Sequence, residues 1–242
     1  MAPVFIRLPG ECRNPWLPWI PAFAGMTRWG RRRFTSLRSA LSLFLSMLVI
    51  GGPAAAANPP QILVFGDSLA AGFGLPPEAS FPARLEARLA ADGVRARVVN
   101  AGVSGDTTAG GLKRLDWALA DKPDLVILEL GANDALRGID PESVRANLDT
   151  MIGRIRASGA KLLLTGMQAP PNWGEAYKKR FDSLYPELAK AHGVALYPFF
   201  LDGVAMEPAL NQPDGLHPNA RGVAALVDRI APHVEKLLGG PL

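Results

Sequence analysis

Four short stretches of this chain carry side chains suited to acyl transfer. Gly66-Asp67-Ser68-Leu69 ends an apolar run on a serine, and Ser104-Gly105-Asp106 offers a glycine. Gly131-Ala132-Asn133-Asp134 offers a side-chain amide, and Asp214-Gly215-Leu216-His217-Pro218 sets an imidazole three residues after a carboxylate. A serine hydroxyl becomes a useful nucleophile only when a neighbouring base takes its proton. The chain has three histidines for that task near neutral pH, His192, His217 and His233. His233 falls late in an amphipathic stretch, and His192 sits at a helix end beside Gly193, where the helix dipole accounts for it. His217 lies instead in a Pro- and Gly-punctuated loop, where Asp214 can reach back to Nδ1 and leave Nε2 facing a serine. The oxyanion of an acyl-transfer intermediate also needs donors. Gly105 lets a backbone N–H approach a ligand without a side chain in the way, and Asn133 carries an NH2 group. Taken singly, each stretch reads equally well as a cap, a turn or a solvated loop. Ser104 is a second conceivable nucleophile, one residue from the glycine that the oxyanion would need.

These groups act together only if the fold gathers them. Short apolar runs predict strands over 62–65, 96–99, 125–130, 161–165 and 195–197. Helical patterns predict helices over 78–92, 107–120, 141–157, 174–192 and 219–238, with Phe81, Leu85 and Leu89 on one face of the first. Asp140-Pro141 reads as cap and first-turn proline, and Asp106-Thr107 as a cap for the second helix. Such β-α alternation argues for an α/β fold, a parallel sheet with helices on both sides. Ligands bind such sheets outside the carboxyl ends of the strands. The serine, the glycine, the asparagine and the Asp-His pair follow strands one, two, three and five. After strand four comes GMQAPPNWGEAYKKRF, in which Pro170, Pro171, Asn172 and Trp173 are candidates to wall a substrate groove. Phe73, Leu75 and Met206 are further apolar candidates, equally explained by core packing.

Composition divides the chain near residue 58. Residues 28–38 are basic, 39–50 are apolar and 54–57 are alanines, the three-part layout of a secretory signal peptide. The apolar run is too short to span a bilayer, which takes about 20 residues. The expected leader is therefore 1–57, with the signal peptide at about 26–57 and residues 1–25 a doubtful extension rich in Pro and Trp. Cleavage near Ala57 implies a periplasmic or secreted domain with no stable membrane span. The leader holds seven Arg and one acid, so the formal charge of +4 becomes −2 over residues 58–242. That removes any charge argument for nucleic acid. Cys12, the one cysteine, also belongs to the leader, so the 185 remaining residues form one domain without disulfides or thiolate chemistry. No histidine pair has metal-ligand spacing, and no metal or cofactor is expected.

In order and spacing over residues 62–218, the four stretches resemble the sequence blocks of the SGNH (GDSL-type) hydrolase superfamily. VVNAGVSGDTTAGGL, LELGANDALRG and YPFFLDGVA are similar, more narrowly, to its small periplasmic thioesterase I, lysophospholipase and arylesterase group. The third block departs slightly, reading Gly-Ala-Asn-Asp where Gly-Gly-Asn-Asp is common. The resemblance implies a three-layer α/β/α sandwich around a central five-stranded parallel sheet, flavodoxin-like in topology; the mature domain is expected to be a monomer. It implies Ser68 as nucleophile, His217 as general base and then acid, and Asp214 orienting His217. The oxyanion hole would be the Ser68 and Gly105 N–H groups with the Asn133 amide. Substrates would be small-molecule esters or thioesters with short to medium acyl chains. A carbohydrate O-acetylesterase of the same superfamily is one alternative, and a non-catalytic exported binding module is another. The G-x-S-x-G elbow of α/β-hydrolases is excluded, since position 70 is alanine.

Overall fold

In the computed structural model, which describes residues 58–239, five short runs form a single sheet. They are β1 (Gln61–Gly66), β2 (Arg97–Gly102), β3 (Leu125–Glu129), β4 (Lys161–Thr165) and β5 (Ala195–Tyr197). All pairings are parallel, in the spatial order β2-β1-β3-β4-β5. Ile62, Leu63, Val64 and Phe65 of β1 are all buried although successive side chains point to opposite faces. Helices must therefore cover both sides.

Those helices are α1 (Ser68–Ala71), α2 (Phe81–Ala91), α3 (Thr108–Ala118), α4 (Ala132–Leu136), α5 (Pro141–Ala157), α6 (Glu175–Asp182), α7 (Leu184–His192) and α8 (Ala220–Leu238). α2 packs on α8 in one layer, while α3 packs on α5 and α5 on α7 in the other. Phe81, Leu85 and Leu89 are the buried stripe of α2, and Val223, Leu226, Val227, Ile230 and Val234 that of α8.

Several elements differ from their sequence patterns for local reasons. β2 extends to Gly102 because Asn100, Ala101 and Gly102 pair with Val64, Phe65 and Gly66, although none of the three carries a strand-like side chain. The stretch 174–192 is two helices meeting at Ser183, since Pro186 has no N–H to offer the Asp182 carbonyl. The first helix begins at Phe81, after a separate 3₁₀ turn over Pro77–Ala79. Asp140 makes no capping bond and pairs with Arg180 at 2.9 Å. At α3, Thr107 supplies the cap while Asp106 pairs with Arg114 at 2.6 Å.

The connection from β5 to α8 matters most for the site. β5 lies three strands from β1, about 14 Å at ~4.8 Å per strand. The chain over 198–219 must run back along the sheet edge to bring His217 near the end of β1. It is fixed as it goes. Phe200 N–H donates to Gly166 C=O at 2.9 Å, and its buried ring meets Phe81 edge-on with centroids 5.1 Å apart. Buried Asn211 then donates to the carbonyls of Val204 and Glu207 at 2.6 and 2.9 Å. The leader expected over 1–57 lies outside the described residues. Among the described residues no helix is long and apolar enough to cross a membrane.

Candidate active site

Ser68 opens α1, and the two residues before it explain its placement. Gly66 ends β1 at a point where a Cβ would overlap Glu129 Oε2 and Ala70 Cβ, so only glycine allows this approach to β3. Asp67 then caps α1, its Oδ1 accepting the Leu69 N–H at 3.0 Å. The capped turn leaves Ser68 half-buried at the sheet edge. His217 Nε2 stands 3.0 Å from Ser68 Oγ, and His217 Nδ1 stands 2.7 Å from Asp214 Oδ2. Hydroxyl, imidazole and carboxylate thus form a hydrogen-bonded series. The other Asp214 oxygen accepts the backbone N–H groups of His217 and Leu216 at 3.0 and 2.9 Å. Those two bonds, then the His217 ring, hold the Asp214 carboxyl down at about 2, so it stays anionic wherever an imidazole can serve as base.

The candidate oxyanion donors come from the neighbouring strand ends. Gly105 lies in a turn closed by Asp106 N–H to Val103 C=O at 3.0 Å, with φ +83°. That left-handed backbone is what calls for glycine, because the space around it is open. Arg137 Nη2 donates to the Gly105 carbonyl at 3.0 Å. Asn133 sits in the single turn of α4, and its Nδ2 donates to Asp67 Oδ2 at 3.0 Å. Buried Asp134 accepts the Thr108 N–H at 2.8 Å and the Thr108 hydroxyl at 2.7 Å, tying the Asn133 turn to the start of α3.

A model of the GDSL-like lipase/acylhydrolase family matches residues 64–225. The chain belongs to this family. It is 44% identical over 199 residues to Esterase TesA of Pseudomonas aeruginosa, covering 82% of this chain and 98% of that protein. It is 37% identical over 196 residues to thioesterase 1/protease 1/lysophospholipase L1 of Escherichia coli K12, covering 81% and 92% respectively. The crystal structure of AlinE4, an SGNH-hydrolase family esterase, superposes with a TM-score of 0.63 at 48% identity, over 76% of this chain and 98% of that one.

In this GDSL-family chain two further carboxyls lie behind the serine: Asp67, which belongs to the first motif and reads there as a cap, and Glu129, which lies outside all four motifs. Asp67 is fully buried, and burial pushes its carboxyl up to about 6 against the opposing hydrogen bonds from Leu69 and Asn133. Glu129, at the end of β3, accepts the Asp67 N–H at 3.1 Å. Burial first, and the neighbouring Asp67 second, hold its carboxyl well above the usual range, and its Oε1 has no partner among the described residues. A glutamate ending an apolar strand was the one available sequence signal.

Ser68, Asp214 and His217 are brought into contact, and Asn133 reaches the same cluster through Asp67. His192 pairs with Asp149 at 2.7 Å and His233 meets the Tyr197 ring at 5.2 Å, so neither serves Ser68. Ser104 is exposed and bonds no histidine among the described residues. Pro170–Trp173 reaches the C-terminal end of α4 through Trp173. Trp173 Nε1 donates to Ala135 C=O at 2.8 Å and its ring covers Gly138, while Pro171 and Asn172 are exposed. Phe73 is half exposed with its ring 4.6 Å from that of His217. Leu75 packs partly against the core, and Met206 is exposed at φ +63°. Among the described residues no three His, Cys, Asp or Glu side chains are gathered as a metal site requires.

The raised Asp67 carboxyl fixes the sign of a pH effect. A carboxyl that ionises at about 6 when folded, and at its ordinary 3.8 when unfolded, stabilises the fold below the lower value. That contribution, about 3 kcal/mol at most, is lost as pH rises through about 6. Glu129 acts in the same direction. The expected result is a wild-type Tm several degrees lower at pH 7.5 than at pH 4.5, at about 2–4 °C per kcal/mol for a chain of this size. Asp67→Asn should flatten that slope in calorimetry; an unchanged slope would remove Asp67 as its source.

Proposed function

We propose that this chain hydrolyses carboxylic esters and thioesters through an acyl-serine intermediate, with Ser68 as nucleophile. The observation that carries the reading is the 3.0 Å approach of His217 Nε2 to Ser68 Oγ with Asp214 on the opposite ring nitrogen. Ser68 Oγ attacks the carbonyl carbon as its proton passes to His217 Nε2. The carbonyl π electrons move to oxygen, where the Ser68 and Gly105 N–H groups and the Asn133 amide receive the charge. Collapse expels the alcohol or thiol, which takes the proton from Nε2. Water then gives a proton to Nε2 and attacks the acyl-serine carbonyl, and the second collapse returns a proton to Ser68 Oγ and frees the acid. Asp214 remains anionic throughout, holding Nδ1–H and stabilising the transient imidazolium. Asp67 has two carboxylate oxygens, one for Leu69 N–H and one for Asn133 Nδ2, so it can hold the oxyanion amide in place.

For the substrate, the half-exposed Phe73, Val103, Leu136, Trp173 and Leu216, on segments that follow several different strands, favour an acyl chain over a polar sugar. Of the four candidate groove residues, Trp173 has the clearest support, standing beside the helix that carries Asn133. The family relatives bearing esterase and thioesterase names support the same chemistry. The three-part leader supports export, with the mature domain acting as a periplasmic or secreted enzyme on water-accessible esters or lysophospholipids.

Ser68→Ala is expected to abolish turnover and labelling by a fluorophosphonate probe, while Asn133→Ala lowers kcat about 10² to 10³-fold. Full esterase activity in Ser68→Ala would end the nucleophile assignment. Purified residues 58–242 should cleave p-nitrophenyl octanoate well and release little acetate from acetylated xylan; the reverse ranking would favour a carbohydrate O-acetylesterase. Intact-mass measurement of exported material should give a chain starting near Asn58, whereas a mass retaining residues 26–57 would contradict cleavage near Ala57.

A further inference from the structure

One side chain outside the four motifs closes the reacting pair into a ring of hydrogen bonds. The Ser68 carbonyl accepts the Phe73 N–H at 3.1 Å, and the Phe73 carbonyl accepts Gln212 Nε2 at 2.7 Å. Gln212 N–H donates to the His217 carbonyl at 2.7 Å, and His217 Nε2 returns to Ser68 Oγ at 3.0 Å. Gln212 Nε2 also donates to the Pro218 carbonyl at 3.0 Å. The amide oxygen occupies the space where a Cβ of Gly74 would stand, so bare backbone is needed where Gln212 crosses to the segment after α1.

The two links of the catalytic series differ in kind. Asp214 and His217 lie in one turn, three residues apart, and their pairing is local. Ser68 and His217 are 149 residues apart, and a single hydroxyl–imidazole bond is too weak a net interaction to hold two loops in register. Gln212 supplies the missing tie, since its one NH2 group bonds a carbonyl on each side of the gap. Phe73 takes part twice, giving its carbonyl to Gln212 and laying its ring 4.6 Å from the imidazole.

We propose that Gln212 is a positioning residue whose side chain sets the Ser68–His217 separation without bonding the Asp214 carboxylate or the His217 imidazole; this rests on the roles given above to Ser68, His217 and Asp214. Gln212→Ala removes both donors. Gln212→Glu keeps the shape but turns an acceptor toward two carbonyls, so it should be the worse of the two.

The test compares both variants with wild type and with Ser68→Ala. It measures p-nitrophenyl butyrate kinetics, the rate of fluorophosphonate inactivation, and the low-field proton resonance of His217 Nδ1–H in histidine-labelled protein. Expected for both Gln212 variants is a fall in kcat and in inactivation rate of about 10 to 10²-fold, as for a sub-ångström to ångström misplacement. KM should stay within about 2-fold, and the His217–Asp214 resonance should persist. Wild-type kcat in both variants beside an inactive Ser68→Ala would overturn the positioning role and leave the nucleophile standing. Loss of the resonance together with activity would also overturn it, making Gln212 a scaffold for the whole loop. Activity in Ser68→Ala would bring down the site reading itself.

Discussion

The 3.0 Å contact between Ser68 Oγ and His217 Nε2 is the constraint on which the other features of the site depend. It joins the end of the second-position strand of the sheet to a loop that leaves the opposite edge. Nothing local can bring these atoms together. The long β5–α8 connection therefore carries core residues of its own, Phe200 and Val204, and a buried Asn211 that knots its turns. A loop anchored in this way spends its conformational entropy at folding, so the geometry needed for proton transfer is already present before substrate binds.

Around that contact the fold sets three carboxyls differently. Asp214 is exposed, yet its folded form collects two backbone N–H groups and an imidazole, which keep it charged. Asp67 is buried and raised to about 6, so near neutral pH it is anionic at an energetic cost offset by Leu69 and Asn133. Glu129 is likewise buried, and burial with the neighbouring Asp67 raises its carboxyl well above the usual range. The gradient runs from a carboxyl held low beside the imidazole to one raised by burial at the sheet interior. A second full charge beside Asp67 would raise its carboxyl further and weaken its hold on Asn133.

The parallel sheet explains why these groups meet at all. Connections leave β1 toward β2 and return across it to β3, so the strand order reverses between β1 and β3, and Ser68 and Asn133 follow the carboxyl ends of those two strands. Gly105 follows β2, and His217 arrives by the long return after β5. Ser68 and Asn133 sit on short turns directly attached to the buried strands β1 and β3, a rigid mounting for side chains that must hold position.

The sequence by itself marked the side chains proposed to carry the chemistry, because their signals are local. The five apolar runs marked the strands, and Asp214 three residues before His217 already encoded its own hydrogen bond. Gly66 and Gly105 were readable as glycines in functional turns, though one is required by crowding against Glu129 and the other by a positive φ. Local pattern failed where pairing overrode it, as in the extension of β2 through Asn100–Gly102 and the break in the helix at Ser183. Only the tertiary structure decided the partners of Asp67, Glu129, Asp134 and Gln212. Their bonds to Asn133, Asp67, Thr108 and Phe73 span from 26 to 139 residues of chain. Period and spacing describe neighbours within a few residues, whereas these contacts are set by how strands order themselves in a sheet and by what burial does to a carboxyl, and neither is written at any single position.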